Sequence, residues 1–173
     1  MIVRAAQPDE VADVEKVYHD IMDHLAQTVD YRHWHTEGHP SSDMIRGWVE
    51  SGDMYVATDG TEIAGVMALD HKTGLGYERA AWSAPVANEQ ALIIHVLGVA
   101  PAHQGRGVAG FLVESAIRIA QERGCLAVRL DVLVDNVAAR ALYTRCGFTD
   151  LGVHTIDYPN TDLNRFHLFE YVL

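Results

Sequence analysis

Cysteine is nearly absent from this chain: Cys125 and Cys146 are the only two, and neither adjoins a histidine or an acidic residue. A disulfide framework is therefore excluded, and a cysteine nucleophile has no support; both positions suit small buried thiols. Long apolar runs are missing too. Nothing approaches the ~20 residues that a membrane-spanning helix requires, and the N-terminus lacks a basic segment followed by an apolar one. A cytoplasmic location with no membrane partner is the expectation. Basic residues are in the minority, 13 Lys and Arg against 24 Asp and Glu, for a formal net charge of −11. That balance argues against a nucleic-acid substrate and favours cationic partners such as amines or basic peptide ends. Linkers, internal repeats and low-complexity segments are also lacking, so the 173 residues read as one domain, 1–173, long enough to bury a full core.

What is present is organised around residues 92–110. An apolar β-type run, Leu92-Ile93-Ile94-His95-Val96-Leu97-Gly98-Val99, ends at Pro101. A glycine-rich loop with Gly105 and Gly107 follows, and a helix-period pattern begins at once with Phe111, Leu112 and Val113. Backbone N–H groups at such a junction have no intrahelical partner and lie at the positive end of the helix dipole, which suits phosphate oxygens. Neither glycine carries a Cβ to keep an anion away. Gly105, Gly107 and Gly110 also spell G-x-G-x-x-G, the dinucleotide fingerprint, and so offer an oxidoreductase alternative. Only 63 residues follow Gly110, too few for the two mononucleotide-binding halves that reading requires.

A second cluster follows another apolar strand at 127–134: Asn136, Ala139, Tyr143, Gly147 and Phe148. The loop Gln104-x-x-Gly107-x-Ala109 resembles the Q/R-x-x-G-x-G/A signature of the GNAT superfamily of acyl-CoA-dependent N-acetyltransferases. The segment Asn136-x-x-Ala139-x-x-x-Tyr143-x-x-x-Gly147-Phe148 is similar to that family's second cofactor segment, at the expected distance. The resemblance spans roughly residues 92–148.

The remaining pattern fits around this centre. A strand at 2–6, a helix at about 8–27, and a helix capped by Ser41 and ended by Gly52 come first. A hairpin turns at Asp59-Gly60-Thr61. An irregular stretch at 70–90 includes part of a strand around 77–83, and a helix at about 107–123 buries Val108, Leu112, Ala116 and Ile119. The complete order is β-α-α-β-β-β-α-β-α-β-β, an α/β (α+β) class. As in the GNAT fold it resembles, a mixed, mostly antiparallel sheet of six to seven strands carries helices on both faces.

The resemblance implies an N-acetyltransferase that moves an acetyl group from acetyl-CoA to a primary amine of a small molecule or peptide; a non-catalytic acyl-CoA binding module is the alternative. It implies cofactor contacts from Gln104, Gly105, Arg106, Gly107, Val108 and Ala109, with Arg106 and Arg145 offsetting phosphate charge. Asn136 holds the pantetheine amide or caps the helix that follows. In this family the central strand and the next splay at a bulge, and Gly98 is the expected break. The amide of Leu97 or Val99 then donates to the thioester oxygen as charge develops.

Proton removal from an ammonium needs a base, and His95 is the best-placed imidazole, in a run similar to the H-V-L-A-V of the arylalkylamine N-acetyltransferases. A satisfied core histidine is the bland alternative, and a water chain to Glu37 or Glu78 is another. Tyr143 is the expected proton donor to the departing sulfur; the alternative is a tyrosine packed on the sheet. The histidines at 33, 35 and 39, with His24 nearby, lack zinc spacing, and no metal is expected. With Tyr31, Trp34 and Trp82 they read better as an aromatic acceptor pocket. A monomer or homodimer is expected.

Overall fold

The computed structural model describes residues 1–28, 39–159 and 161–173. Within them, helix boundaries fall where capping chemistry puts them. After strand β1 (Ile2–Ala5), a 3-10 turn at Pro8–Glu10 leads into α1 (Val11–Thr28). Helix α2 (Ser42–Ser51) begins where the Ser41 hydroxyl accepts the Met44 N–H, and it ends at Gly52, whose φ of 78° is the left-handed geometry that glycine tolerates. Strands β2 (Met54–Asp59), β3 (Glu62–Asp70) and β4 (Ala91–Val99) precede helix α3 (Val108–Glu122). Strand β5 (Ala127–Leu133), helix α4 (Val137–Arg145) and strands β6 (Thr149–Thr155) and β7 (Arg165–Val172) complete the expected element order. The sheet is mixed, with strand order β1-β2-β3-β4-β5-β7-β6. Among the described residues no helix is long and apolar enough to cross a membrane.

Two compact units can be distinguished, one comprising Met1–Leu69 with His95–Leu112, the other Asp70–Ile94 with Val113–Leu173. In the first, β1 pairs antiparallel with β2, and β2 with β3. Apolar positions at helical spacing on α1 (Val14, Val17, Tyr18, Ile21) join Ile45 and Val49 of α2 over Met54, Val56, Val66 and Ala68 of the sheet. Gly65 is required on β3, because a Cβ there would lie 2.9 Å from Leu112 Cδ1 and 3.0 Å from the Gly98 oxygen.

In the second unit, the start of β4 pairs parallel with β5 over three positions, Ala91↔Ala127 to Ile93↔Arg129. Strand β5 then pairs antiparallel with β7 along its whole length, and β7 with β6. A buried ion pair lies in this unit: Arg129 meets Glu170 at 3.0 Å, the Glu170 carboxylate also accepts the Ser83 N–H, and Arg129 donates to the Ala84 oxygen. Trp82 packs its ring 4.2 Å from the Arg129 guanidinium. Arg129 Nε and Nη2 and both Glu170 carboxylate oxygens have partners, as burial of ions demands.

Two expectations need correction. The strand around 77–83 does not form; Tyr77–Arg79 is a 3-10 turn, entered through Gly76 at φ 114° and closed by the Trp82 indole, which donates to the Tyr77 oxygen at 2.8 Å. On α3, Val108, Leu112 and Ala116 are buried as expected, but Ala120 rather than Ile119 completes the stripe.

Candidate active site

Strand β4 carries the strongest backbone irregularity of the first unit. Val96 has φ 46°, a left-handed conformation that a β-branched residue adopts only when its surroundings impose it. The buried Tyr18 hydroxyl donates to the Val96 oxygen at 3.0 Å and fixes the kink. The break therefore lies two residues before the expected Gly98, whose backbone instead packs closely against Gly65. Past the kink, the Ala100 N–H donates to the Ala64 oxygen of β3 at 3.0 Å. Amides alternate along a strand, so those of Val99 and, two residues earlier, Leu97 face the opposite edge. His95, just before the kink, is half-buried and stacks on Trp48 with ring centroids 6.1 Å apart.

The loop that follows opens toward solvent. Residues 104–107 are exposed, and Gly105 and Gly107 have φ of 73° and 82°. A Cβ built on either meets no heavy atom within 4 Å, so there is open space over both residues. Among the described residues the N–H groups of residues 105–110 find no acceptor, and the 15-residue helix α3 starts at Val108. Six free amides beside a helix N-terminus match a pyrophosphate in charge and in donor number. The Gln104 side chain reaches back to the Val99 oxygen at 3.5 Å. Val108 is buried and Ala109 half-buried.

Arg106 is braced from beneath by a residue that the sequence pattern does not single out. The buried His103 lies 3.2 Å through Nδ1 from Arg106 Nη1 and 3.1 Å through Nε2 from the Glu62 carboxylate. Arginine can only donate, so Nδ1 accepts and the ring proton sits on Nε2, directed at Glu62. Asp59 also pairs with Arg106, at 3.4 Å. An aspartate at the end of β2 and a histidine in the 3-10 turn Pro101–His103 carry no ligand motif, so spacing alone cannot reveal this brace.

The remaining expected residues belong to the second unit. Asn136 caps α4, its Oδ1 accepting the Ala139 N–H at 3.0 Å. Tyr143 is buried with its ring against Phe148 and Phe169, and its hydroxyl has no hydrogen-bond partner among the described residues. Burial first, then the charges of Asp131 and Cys146, push this phenol well above the ordinary tyrosine range. Glu78 is exposed and holds a turn, accepting the Gly76 N–H at 2.8 Å and pairing with Arg79. Tyr31, His33, Trp34, His35 and Glu37 lie outside the described residues.

A model of the acetyltransferase (GNAT) family matches residues 18–148. The chain belongs to that family. Membership in the GNAT family replaces the dinucleotide-binding alternative, and Gly110 accordingly serves as a residue of the first turn of α3. Among curated relatives, the streptothricin acetyltransferase of Escherichia coli is 41% identical over 71 residues, 41% of this chain and 40% of that protein. The mycothiol acetyltransferase of Jonesia denitrificans is 30% identical over 136 residues, 75% of this chain and 40% of that protein. The chain thus spans two fifths or less of the length of these relatives. Among solved structures, a GNAT acetyltransferase from Streptococcus agalactiae superposes with a TM-score of 0.80 at 16% identity, covering 99% of this chain and 95% of that one. The yncA protein of Salmonella typhimurium, solved with its cofactor acetyl-CoA, gives a TM-score of 0.68 at 18% identity, covering 100% and 94%.

Proposed function

We propose that this GNAT chain is an N-acetyltransferase that moves the acetyl group of acetyl-CoA to a primary amine of a small molecule or peptide, the amine attacking the thioester directly. The observation that carries this reading is the run of acceptor-free amides at 105–110 on the N-terminus of α3. Gln104, Gly105, Arg106, Gly107, Val108 and Ala109 form the pyrophosphate cradle, with Arg106 adding a guanidinium for a phosphate oxygen. The edge amides at 97 and 99 offer a strand-like partner to the pantetheine arm.

Chemistry then falls to few groups. Acetyl-CoA supplies an acyl carbon activated by its thioester. An alkylammonium holds its proton at neutral pH, since its pKa lies near ~10. His95 accepts that proton, directly or through water, freeing the nitrogen lone pair. As the C–N bond forms, the amide N–H of Leu97 or Val99 donates to the thioester oxygen, where negative charge gathers. The C–S bond breaks, Tyr143 donates its phenolic hydrogen to the departing thiolate, and the second proton that the nitrogen sheds as it becomes an amide restores the phenol. Because its surroundings hold Tyr143 protonated, the donor stays in its active form through the physiological range. Asn136 supports the pantetheine amide while capping α4.

The relatives' names point to different acceptors, so the reading stays at the level of a primary amine. The test is thiol release from acetyl-CoA in the presence of a panel of amines, polyamines, amino acids and peptides. Amine-dependent release with stoichiometric acetylated product is expected. Binding of CoA without turnover across the panel would instead make the chain a binding module.

A further inference from the structure

Within the second unit, one carboxylate is built into an aromatic setting that the catalytic assignments above leave unused. Asp131 lies on β5 two residues beyond Arg129, where the ladder to β4 ends. Its Oδ2 accepts two phenolic hydroxyls, those of Tyr77 and Tyr158, each at 2.6 Å. The segments that bring the two tyrosines in are fastened to each other. Leu75 and Asp157 exchange backbone hydrogen bonds at 3.2 and 2.8 Å. Gly74 and Gly76 let the chains approach so closely that a Cβ at either would collide with Ile156 or the Thr155 oxygen. Tyr77 is buried, and Tyr158 and Asp131 are half-buried.

The two phenols fix the carboxylate through one oxygen. Among the described residues Oδ1 accepts no hydrogen bond, and no Lys, Arg or His pairs with the group. An ionised carboxylate offers about four acceptor positions, of which two are filled here. Phenol hydroxyls do not neutralise the charge, and a half-buried carboxylate is completed best by a cation. The same charge reaches Tyr143, whose phenol it helps hold in the protonated form. We propose that Asp131, clamped between Tyr77 and Tyr158, recognises the ammonium group of the acceptor and selects cationic primary amines over neutral nucleophiles. The inference rests on the acetyltransferase reading and names its acceptor class. An ammonium donates a charge-assisted hydrogen bond to Oδ1; an alcohol or arylamine of similar shape lacks the charge that makes the contact strong.

The test compares the wild-type chain with Asp131→Asn, which keeps an acceptor oxygen for both phenols and so retains the clamp. With butylamine as acceptor, KM is expected to rise at least tenfold in Asp131→Asn, while KM for aniline and the Kd for CoA stay within twofold. Tyr158→Phe, which keeps the charge, is expected to raise KM for butylamine less than Asp131→Asn does. An equal rise for both acceptors, no rise, or loss of CoA affinity would overturn the proposal. A second readout needs no turnover: butylammonium, but not butanol, is expected to shift the amide NMR signals of residues 130–132, and Asp131→Asn to abolish that shift. If CoA fails to bind the wild type while the butylammonium shift is present, the transferase reading fails and the ammonium site stands. If CoA binds and the shift is absent or unchanged in Asp131→Asn, the site fails and the transferase reading stands.

Discussion

The Tyr18 hydroxyl of α1 donates to the Val96 carbonyl of β4 at 3.0 Å across a sequence separation of 78 residues, and this bond holds the central strand in its kink. A β-branched residue at φ 46° costs roughly 1–2 kcal/mol, so a neighbour must stabilise it. Tyr18→Phe keeps the ring in the core but leaves the carbonyl short of a donor. Urea unfolding is expected to show a loss of about 1 kcal/mol. Steady-state kinetics is expected to show kcat falling more than CoA affinity, because the kink sets the direction of the Leu97 and Val99 amides. Unchanged kcat in a folded variant would separate the kink from the chemistry.

Gly107→Ala places a methyl group in open space at φ 82°. Nothing in the protein clashes with it, so the folding cost is the left-handed penalty alone, about 1 kcal/mol. The methyl does intrude where a phosphate would approach the amides, and calorimetry is expected to show CoA affinity reduced at least tenfold. Gly152→Ala, at φ 86° in β6 with equally open surroundings, is the control: similar destabilisation with CoA affinity within twofold.

How much of this was legible in the sequence differs by feature. Caps and glycines announced themselves, because Ser41, Gly52, Gly105 and Gly107 act on their immediate neighbours. The kink at Val96 did not, since valine is among the residues least suited to positive φ and the group that imposes it lies on a helix far earlier in the chain. Gly98 looked like the break because glycine permits one, yet its close packing against Gly65 uses the missing side chain differently. The strand expected around 77–83 gives way to a turn, which the Trp82 indole closes from a position that no local pattern marks. Asp131 carries no sequence signal, because its two phenolic partners arrive from segments 54 and 27 residues away.

Tyr143→Phe removes a hydroxyl that has no hydrogen-bond partner among the described residues, so stability is expected to change by less than about 0.5 kcal/mol. If the hydroxyl assists departure of the thiolate, kcat falls by about 10²-fold or more with CoA affinity retained. Because the phenol is held above the ordinary tyrosine range, its own ionisation does not produce an alkaline limb at pH 8–10. A rate profile that falls there in the wild type and flattens in Tyr143→Phe would contradict the assignment.

Acid sensitivity has a local source at the start of the chain. Arg4 grips the Glu10 carboxylate through two hydrogen bonds of 2.7 Å, and this contact is the main reason that the Glu10 pKa is lowered to about 2. A depressed carboxylate contributes stability above its unfolded pKa of ~4.3 and loses it as pH falls toward the folded value. The pair is partly exposed, so its contribution is about 1 kcal/mol or less. Glu10→Gln is therefore expected to be less stable than wild type at pH 7 and to approach it below pH 3. A difference that stays constant over that range would assign the effect to something other than the ion pair.

The most direct test of the central claim, that the amides of residues 105–110 grip the pyrophosphate of coenzyme A, is a pair of calorimetric titrations with CoA and with pantetheine, which shares the thiol arm and lacks the phosphates. CoA is expected to bind with micromolar affinity and pantetheine at least a hundredfold more weakly. Equal affinities, or no heat with CoA at millimolar concentration, would contradict the account.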